Sequence, residues 1–340
     1  MFSIDRTQIG SDHRPYIIAE AGINYLGNLD LAKAFIEEAA KAGADAIKFQ
    51  THLQEAEMAK SAMADLGYGD LYERMADFEL TVDQHRDLQH HCKEYDITFL
   101  STPFSVEGVE LLDTIDVPAI KIGSGEFTDT HLVKTAADTE RPLIISTGMS
   151  TWEEIEQQVP FIKKQVEAFA LLYCVSAYPT DPMDFSLGLI ERMNEAFDVP
   201  VGFSDHSTGI RAAVTAIGHG AAVIEKHFTI DRRLPGGDQE VSIEPEELDE
   251  LTDYADLAVA SAGRERSVLD AEHDIKRWAF HSVVATEPLA EGDRLTESNT
   301  TTKRPGTGIP AKDYYDVLGR TVATRIDADT VIRHDDLEQE

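Results

Sequence analysis

Two histidines follow two short apolar runs, and this placement could support metal chemistry. Residues 199–203 and 221–224 are apolar, and the polar segments that follow them carry His206 and His227. The small residues of 212–217, between the two runs, have helical composition. The pattern predicts a strand–helix–strand unit with one histidine at the same end of each strand. Because neighbouring parallel strands lie about 5 Å apart, the two imidazoles could share one ion.

A metal held by these imidazoles would keep coordination positions open for water and substrate. At most a carboxylate would join His206 and His227, and such a mixed nitrogen and oxygen shell suits Mn²⁺ or Mg²⁺ better than structural zinc. Co²⁺ is a further possibility, and the residues alone do not select one ion. The ion would act as a Lewis acid on a carbonyl oxygen. The other interpretation is that each histidine is an ordinary packed or surface residue.

Two lysines also end apolar runs, and they favour an anion site. Lys48 and Lys121 lie where strands are expected, and a buried lysine is costly unless an anion or a carboxylate accompanies it. Three serines add neutral donors: Ser124, Ser146 and Ser204. Such a set could hold a phosphate and a carboxylate beside a metal-bound carbonyl, as the joining of phosphoenolpyruvate to an aldehyde requires. The alternative is that the lysines form structural bridges with Glu20 or Glu126.

The elements that must position these residues alternate along the chain. From residue 16 to residue 261, about eight strands alternate with about eight helices, which predicts a parallel sheet of the (β/α)8 TIM-barrel type. An open doubly wound sheet is the alternative, but no GxGxxG follows the first strand. We expect a hairpin within about residues 1–14 and an irregular insertion at 52–80.

The domain organisation changes after residue 262. We assign 1–262 to the barrel, 263–279 to a polar linker and 280–340 to a small β-rich domain. Two similar phrases in that last domain, SVVATEPLAEGDRLTESNT and TVATRIDADTVIRHDDL, suggest an internal duplication. Between them the loop KRPGTGIP exposes Arg304.

Polar residues recur at the expected carboxyl end of nearly every strand. In a parallel barrel all these ends open on one face, where active sites lie. Side chains two residues apart share a face of a strand, so several of these residues should point the same way. The set is Glu20, Lys48, Gln50, Ser101, Thr102, Lys121, Ser124, Glu126, Ser146, Thr147, Ser176, Tyr178, Ser204, His206, Glu225 and His227.

The composition excludes several classes of partner. The chain has 63 acidic and 30 basic residues, a net charge of −33 that is spread along the sequence. This balance argues against nucleic acid and anionic membranes as partners, and it favours a halophilic source. No apolar run reaches the roughly 18 residues of a membrane span, and no signal peptide is expected. Cys92 and Cys174 are expected to be buried small apolar residues, and a cytoplasmic protein is expected.

A series of phrases along the chain is specific enough to suggest a family. AEAGIN, ADAIKFQT, FLSTPFS, DVPAIKIGSGE, PLIISTGMS, YCVSAYPT, VGFSDHSTGI and EKHFT together resemble the sialic acid synthase family, and the C-terminal domain resembles its antifreeze-like (SAF) domain. The resemblance implies a transferase that joins phosphoenolpyruvate to open-chain N-acetylmannosamine with C–O cleavage. The products would be N-acetylneuraminate and phosphate, and the enzyme would be a domain-swapped homodimer.

The resemblance also implies a role for each matched residue. His206 and His227 would bind Mn²⁺, while Glu20 and Glu126 would order water or carry protons. The implied contacts to phosphoenolpyruvate are Lys48, Thr102, Lys121, Ser124, Ser146 and Ser204. The implied contacts to the sugar are Gln50, Tyr178 and Asp238, with Ser176 in the same substrate-binding set. Arg304 would reach the sugar from the partner subunit.

Two departures from the family pattern affect the choice of sugar. Tyr25 stands where a histidine is usual, and Ser176 stands where some members have asparagine. We expect both to change groups near the substrates. Synthases of legionaminic or pseudaminic acid, which use a diacetamido-trideoxyhexose, therefore remain as alternatives, and a non-catalytic sugar-binding protein is a third.

Overall fold

Eight parallel strands alternate with helices and form a closed sheet. The computed structural model describes residues 1–263 and 265–339, which fall into two units, Met1–Ala262 and Gly263–Glu340. The sheet of the first unit comprises β3 (Tyr16–Gly22), β4 (Ala46–Thr51), β5 (Thr98–Pro103), β6 (Ile120–Ile122), β7 (Leu143–Ser146), β8 (Phe169–Cys174), β9 (Val201–Asp205) and β10 (Val223–His227). Its order is β5-β4-β3-β10-β9-β8-β7-β6, and β5 and β6 lie side by side. The predicted TIM-type barrel is confirmed.

Helices follow the strands and surround them. In the first unit they are α1 (Leu29–Lys41), α2 (Gln54–Glu57), α3 (Lys60–Asp65), α4 (Gly69–Met75), α5 (Val82–Glu94), α6 (Val106–Thr114), α7 (Thr130–Asp138), α8 (Trp152–Gln165), α9 (Leu189–Phe197), α10 (Arg211–Gly218) and α11 (Pro245–Ser261). Side-chain caps set several of their starts. Asn28 caps α1, and Thr81 and Thr151 form capping boxes at α5 and α8.

The inside of the barrel is apolar at one end and polar at the other. Ile18, Leu100 and Leu172 belong to the apolar cluster of the lower barrel, which a short hairpin of β1 (Phe2–Ile4) and β2 (Thr7–Ile9) joins through Ile4 and Ile9. Two residues further along the same strand faces, polar side chains replace apolar ones. The polar side chains therefore lie above a layer of packed apolar residues.

The segment 52–80 was predicted to be irregular, but it is largely helical. It contains the three short helices α2, α3 and α4, followed by a turn of 3₁₀ helix at Ala76–Phe78. Two glycines lie at the break between α3 and α4, where Gly67 has a positive φ of 85° and Gly69 begins α4. Each helix is too short to show the periodicity by which helices are predicted.

The second unit has its own core. Its antiparallel sheet has the order β12-β11-β13, formed by β11 (Ser282–Ala285), β12 (Thr300–Lys303) and β13 (Thr330–Val331), with a short helix α13 (Tyr314–Val317). The segment expected to be a polar linker, 263–279, contains a helix, α12 (Asp270–Ala279). Glu272 accepts a hydrogen bond from the amide of Leu269 at the start of this helix, a local signal that composition alone does not show.

Among the described residues, no helix has the length and apolar character needed to cross a membrane.

Candidate active site

A cavity of about 380 Å³ opens at the carboxyl ends of the barrel strands. Most of the residues predicted from strand ends meet in its wall. These are Glu20, Lys48, Gln50, Thr102, Lys121, Ser124, Glu126, Ser146, Ser176, Tyr178, Ser204, His206, Glu225 and His227. Their convergence follows from the common direction of the strands, because the carboxyl ends of all eight strands and the loops that follow them open on one face of the barrel.

Two lysines and two carboxylates form a buried cluster at the base of this cavity. Lys48 Nζ lies 2.6 Å from Glu20 Oε2 and 3.6 Å from Glu225 Oε2, and it donates to Thr102 Oγ1 at 2.8 Å. Lys121 Nζ lies 3.8 Å from Glu225 Oε1. The bridge between Lys48 and Glu20 that the sequence left open is thus present, whereas the carboxylate beside Lys121 is Glu225.

Burial and mutual charge separate the pKa values of the two carboxyl groups. Burial and the neighbouring charge of Glu225 raise the pKa of Glu20 to about 7, although Lys48 opposes the shift. Burial also acts to raise the pKa of Glu225, but Lys121, Lys48 and a hydrogen bond from Ser204 outweigh it and lower that pKa to about 2. Burial lowers the pKa of Lys121 below its usual value, and Lys48 adds to this effect. Near neutral pH Glu20 is therefore only partly ionised, and it offsets the charge of Lys48 less than a fully ionised carboxylate would.

The two imidazoles lie side by side in the same wall. Their ring centroids are 5.4 Å apart. His206 Nδ1 lies 2.8 Å from the carbonyl oxygen of Val175, and its Nε2 lies 2.9 Å from the hydroxyl of Tyr178. His227 Nδ1 is buried without a hydrogen-bond partner and lies 3.9 Å from Asp238 Oδ2. Burial, aided by the charges of His206 and Lys48, holds the pKa of His227 well below its usual value.

These features fit a divalent ion. His227 has an unused nitrogen, and a neutral imidazole is the form that binds metal. His206 has the usual support of a histidine ligand, a carbonyl partner on Nδ1, which leaves Nε2, now in contact with the hydroxyl of Tyr178, as its coordinating nitrogen. Among the described residues no group of three or more His, Cys, Asp or Glu side chains could hold a metal. An ion bound by His206 and His227 would therefore need water or substrate oxygens to complete its shell.

A fully buried ion pair lies one residue from each of these histidines. Lys226 Nζ is 3.2 Å from Asp205 Oδ2, and both side chains are 0% exposed. Lys226 also donates to the carbonyl oxygens of Asp205 and Ser207, which flank His206 in the chain. Asp205 Oδ1 accepts from the amide and the hydroxyl of Ser207. The pair thus ties the turn that carries His206 to β10, which carries His227.

Some cavity residues had no role in the prediction. Glu225 was placed at a strand end without a function, although it is two residues from His227 and so shares its face. Cys174, expected to be a packing residue, is buried but lines the cavity, with Sγ 3.8 Å from His206 Nδ1. Burial raises the pKa of Cys174, but contact with His206 outweighs this effect and lowers it overall. Phe104, Gly123, Gly125 and Met149 complete the wall.

Five predicted residues do not line the cavity. Ser101 donates to the carbonyl oxygen of Phe49 and Thr147 to that of Leu172, so both hydroxyls are used inside the barrel wall. Asp238 lies beside the cavity, close to Gly22 and Gln50. A Cβ atom added to Gly22 would lie 3.7 Å from Asp238 Oδ2 and 3.4 Å from Gln50 Nε2. Arg304 belongs to the second unit, where it donates to the carbonyl oxygen of Ala279 and lies over the ring of Trp278. Tyr25, which was expected to change groups near the substrates, does not line the cavity. It is fully buried outside the barrel wall, packs on Phe49 and donates to the carbonyl oxygen of Phe78.

Comparison with known families and proteins agrees with this arrangement. The NeuB family model matches residues 35–267, and the SAF domain model matches residues 280–338. An uncharacterized protein of Methanocaldococcus jannaschii is 36% identical over 331 residues, which are 97% of this chain and 96% of that protein. The N,N'-diacetyllegionaminic acid synthase of Campylobacter jejuni is 36% identical over 93% of this chain and 98% of its own length. The crystal structure of N-acetylneuraminic acid synthetase from Leptospira borgpetersenii, 34% identical, matches with a TM-score of 0.73 over 81% of this chain and 94% of that one.

Proposed function

The chain belongs to the NeuB family, and from this membership and the cavity we propose that it joins phosphoenolpyruvate to the aldehyde of an open-chain N-acetylated sugar. The observation that carries the proposal is the placement of two buried lysines beside two neighbouring imidazoles in one cavity. Phosphoenolpyruvate needs cationic and hydrogen-bonding groups for its phosphate and carboxylate. An aldehyde needs an electrophilic group at its oxygen.

The lysine cluster suits the phosphoenolpyruvate end. Lys48 and Lys121 supply the charge, and Ser146 Oγ is buried without a partner, so it can donate to a substrate oxygen. Ser124 and Ser204 lie in the same wall. The partial protonation of Glu20 near pH 7 reduces its competition with the substrate for Lys48.

The reaction then divides between the two ends of the cavity. The C3 carbon of phosphoenolpyruvate attacks the aldehyde carbon, and the aldehyde oxygen takes up a proton to become a hydroxyl group. Water adds at C2 and gives up one proton. The bond between C2 and the phosphate oxygen then breaks, the remaining hydroxyl proton passes to the departing phosphate, and inorganic phosphate is released with a ketone left at C2. Glu20 and Glu126 can hold that water and accept its proton, since burial raises the pKa of both. A divalent ion at His206 and His227, Mn²⁺ in our proposal, would supply Lewis acidity at the aldehyde oxygen.

We propose N-acetylmannosamine as the acceptor, with N-acetylneuraminate as the product. A diacetamido-trideoxyhexose is the second candidate, because a relative of 36% identity is named N,N'-diacetyllegionaminic acid synthase. Gln50, Ser176 and Tyr178 line the part of the wall assigned to the sugar. We also propose a cytoplasmic homodimer in which the partner subunit's Arg304 reaches the sugar.

Phosphate release tests the proposal. Purified protein with Mn²⁺ and phosphoenolpyruvate should release phosphate only when a suitable aldose is present, and mass spectrometry should show a product with the mass of the aldose plus pyruvate. A panel should contain N-acetylmannosamine and the diacetamido sugars. EDTA should abolish the release and Mn²⁺ should restore it. Phosphate with a diacetamido sugar alone would select the second candidate, whereas sugar binding without any phosphate release would favour the non-catalytic protein.

A further inference from the structure

A histidine behind the cavity wall connects the insertion 52–80 to the predicted sugar site. His52 Nδ1 lies 3.1 Å from each carboxylate oxygen of Glu57, on the short helix α2. His52 Nε2 lies 2.9 Å from Gln50 Oε1, and Gln50 Nε2 lies 3.2 Å from Glu20 Oε1. The side chains of His52 and Glu57 are 7% and 3% exposed. These contacts form a continuous chain from the insertion into the cavity.

The hydrogen-bond chemistry of this chain gives the Gln50 amide a preferred direction. An ionised carboxylate only accepts hydrogen bonds, so His52 Nδ1 carries a proton toward Glu57. His52 Nε2 lies against Gln50 Oε1, an amide oxygen that can only accept, so in this arrangement the ring donates to it. The amide nitrogen of Gln50 then points to Glu20 and the cavity.

Packing holds the His52 ring in place. The ring stacks on Phe104, with centroids 4.6 Å apart and planes 7° from parallel. Phe104 and Gln50 both line the cavity, whereas His52 lies behind them. A ring fixed on one face by an aromatic side chain and at its edge by a carboxylate has little freedom to turn, so its Nε2 presents a constant partner to the amide.

We propose that His52, held by Glu57, is a positioning residue that fixes Gln50 as a hydrogen-bond donor to the acceptor sugar. One amide N–H is directed to Glu20, and the other is available to an oxygen of the sugar, either a hydroxyl or the carbonyl of an acetamido group. The inference rests on the proposed function, and it assigns a purpose to the insertion: α2 delivers the carboxylate that keeps His52 oriented.

Steady-state kinetics of four variants test this role. In His52→Leu and in Glu57→Gln the KM for the acceptor sugar should rise about tenfold, as expected for the loss of one hydrogen bond, while the KM for phosphoenolpyruvate stays within about twofold. His52→Gln keeps an N–H donor and should recover part of the loss. His85→Leu is the matched control. His85 is also buried and bonds to Thr51 and to the carbonyl oxygen of Thr81, but it does not line the cavity.

The outcomes separate this inference from the proposed function. If the wild-type protein turns over and His52→Leu or Glu57→Gln raises both KM values equally, or no more than His85→Leu does, the positioning role is wrong and the function stands. If His52→Leu does not fold, the near-isosteric Glu57→Gln decides. If the wild-type protein releases no phosphate with any aldose, the proposed function fails, and this inference fails with it.

Discussion

Replacing Lys226 by methionine should destabilise the barrel strongly, although Lys226 lines no part of the cavity. Methionine has a similar length, so the change removes the charge and its hydrogen bonds with little change in volume. Asp205 would remain 0% exposed without its cation. The carbonyl oxygen of Ser207 would lose the donation from Lys226.

The structure sets the expected magnitude. Breaking a buried ion pair by removing one partner costs about 3–5 kcal/mol, because a charge is left in a low-dielectric interior. Asp205 keeps two hydrogen bonds from Ser207, so we expect about 3 kcal/mol, near the lower limit. In the double variant Lys226→Met/Asp205→Asn no charge is left buried, and at least about 2 kcal/mol should be recovered.

A double-mutant cycle in denaturant measures this coupling. In a Trp278→Phe background the one remaining tryptophan is Trp152, in the barrel unit, so its fluorescence reports the unfolding of that unit. The control pair is Lys134 and Asp138, whose contact is shorter, 2.6 Å, but whose side chains are 53% and 62% exposed. The corresponding changes there should cost at most about 0.5 kcal/mol. A Lys226→Met variant as stable as Lys134→Met, or a cycle without coupling, would refute the reasoning.

Other expected outcomes concern the cavity, the second unit and the surface. Because ionised Glu20 competes for Lys48, the affinity for phosphoenolpyruvate should be present in full below the pKa of about 7 and fall as the pH rises through it, whereas calorimetry on Glu20→Gln should show a flatter dependence. His227→Ala should lower Mn²⁺ affinity at least about tenfold by electron paramagnetic resonance while the circular dichroism spectrum is retained; unchanged affinity would remove the metal from this site. Arg304→Ala should raise the KM for the sugar far more than that for phosphoenolpyruvate, and equal effects would argue against its placement. Full stability and activity at low salt would count against the halophilic origin suggested by a net charge of −33.

Much of the fold and of the cavity wall could be predicted from local patterns. Alternation of apolar runs and helical segments is a short-range signal, and it led to the parallel barrel. Once the barrel is assumed, every strand end faces one side, so Lys48, Lys121 and His227 could be placed together without coordinates. Glu225 follows from the same spacing, but its position between two lysines depends on three strands and could not be predicted.

The remaining features depend on contacts between distant segments. The bond between His52 and Glu57 needs a turn of helix inside an insertion that has no readable periodicity. Tyr25 was expected near the substrates because it belongs to a motif of the family. The chain turns at Gly22, which has a positive φ, and Tyr25 is buried outside the barrel wall. Lys226 and Lys48 are both lysines in barrel strands, so residue type does not separate them. Lys226 lies between Glu225 and His227, which line the cavity, and its side chain therefore points to the opposite face of β10.

Cleavage of the C–O bond is the central claim, and the fate of one oxygen atom tests it most directly. Phosphoenolpyruvate labelled with ¹⁸O at the bridging position should be turned over with the preferred aldose and Mn²⁺, and the phosphate should be examined by mass spectrometry. We expect the label in the inorganic phosphate, because water supplies the new oxygen at C2. Label retained at C2 of the product, with unlabelled phosphate, would mean that the P–O bond breaks instead and would contradict the proposed reaction.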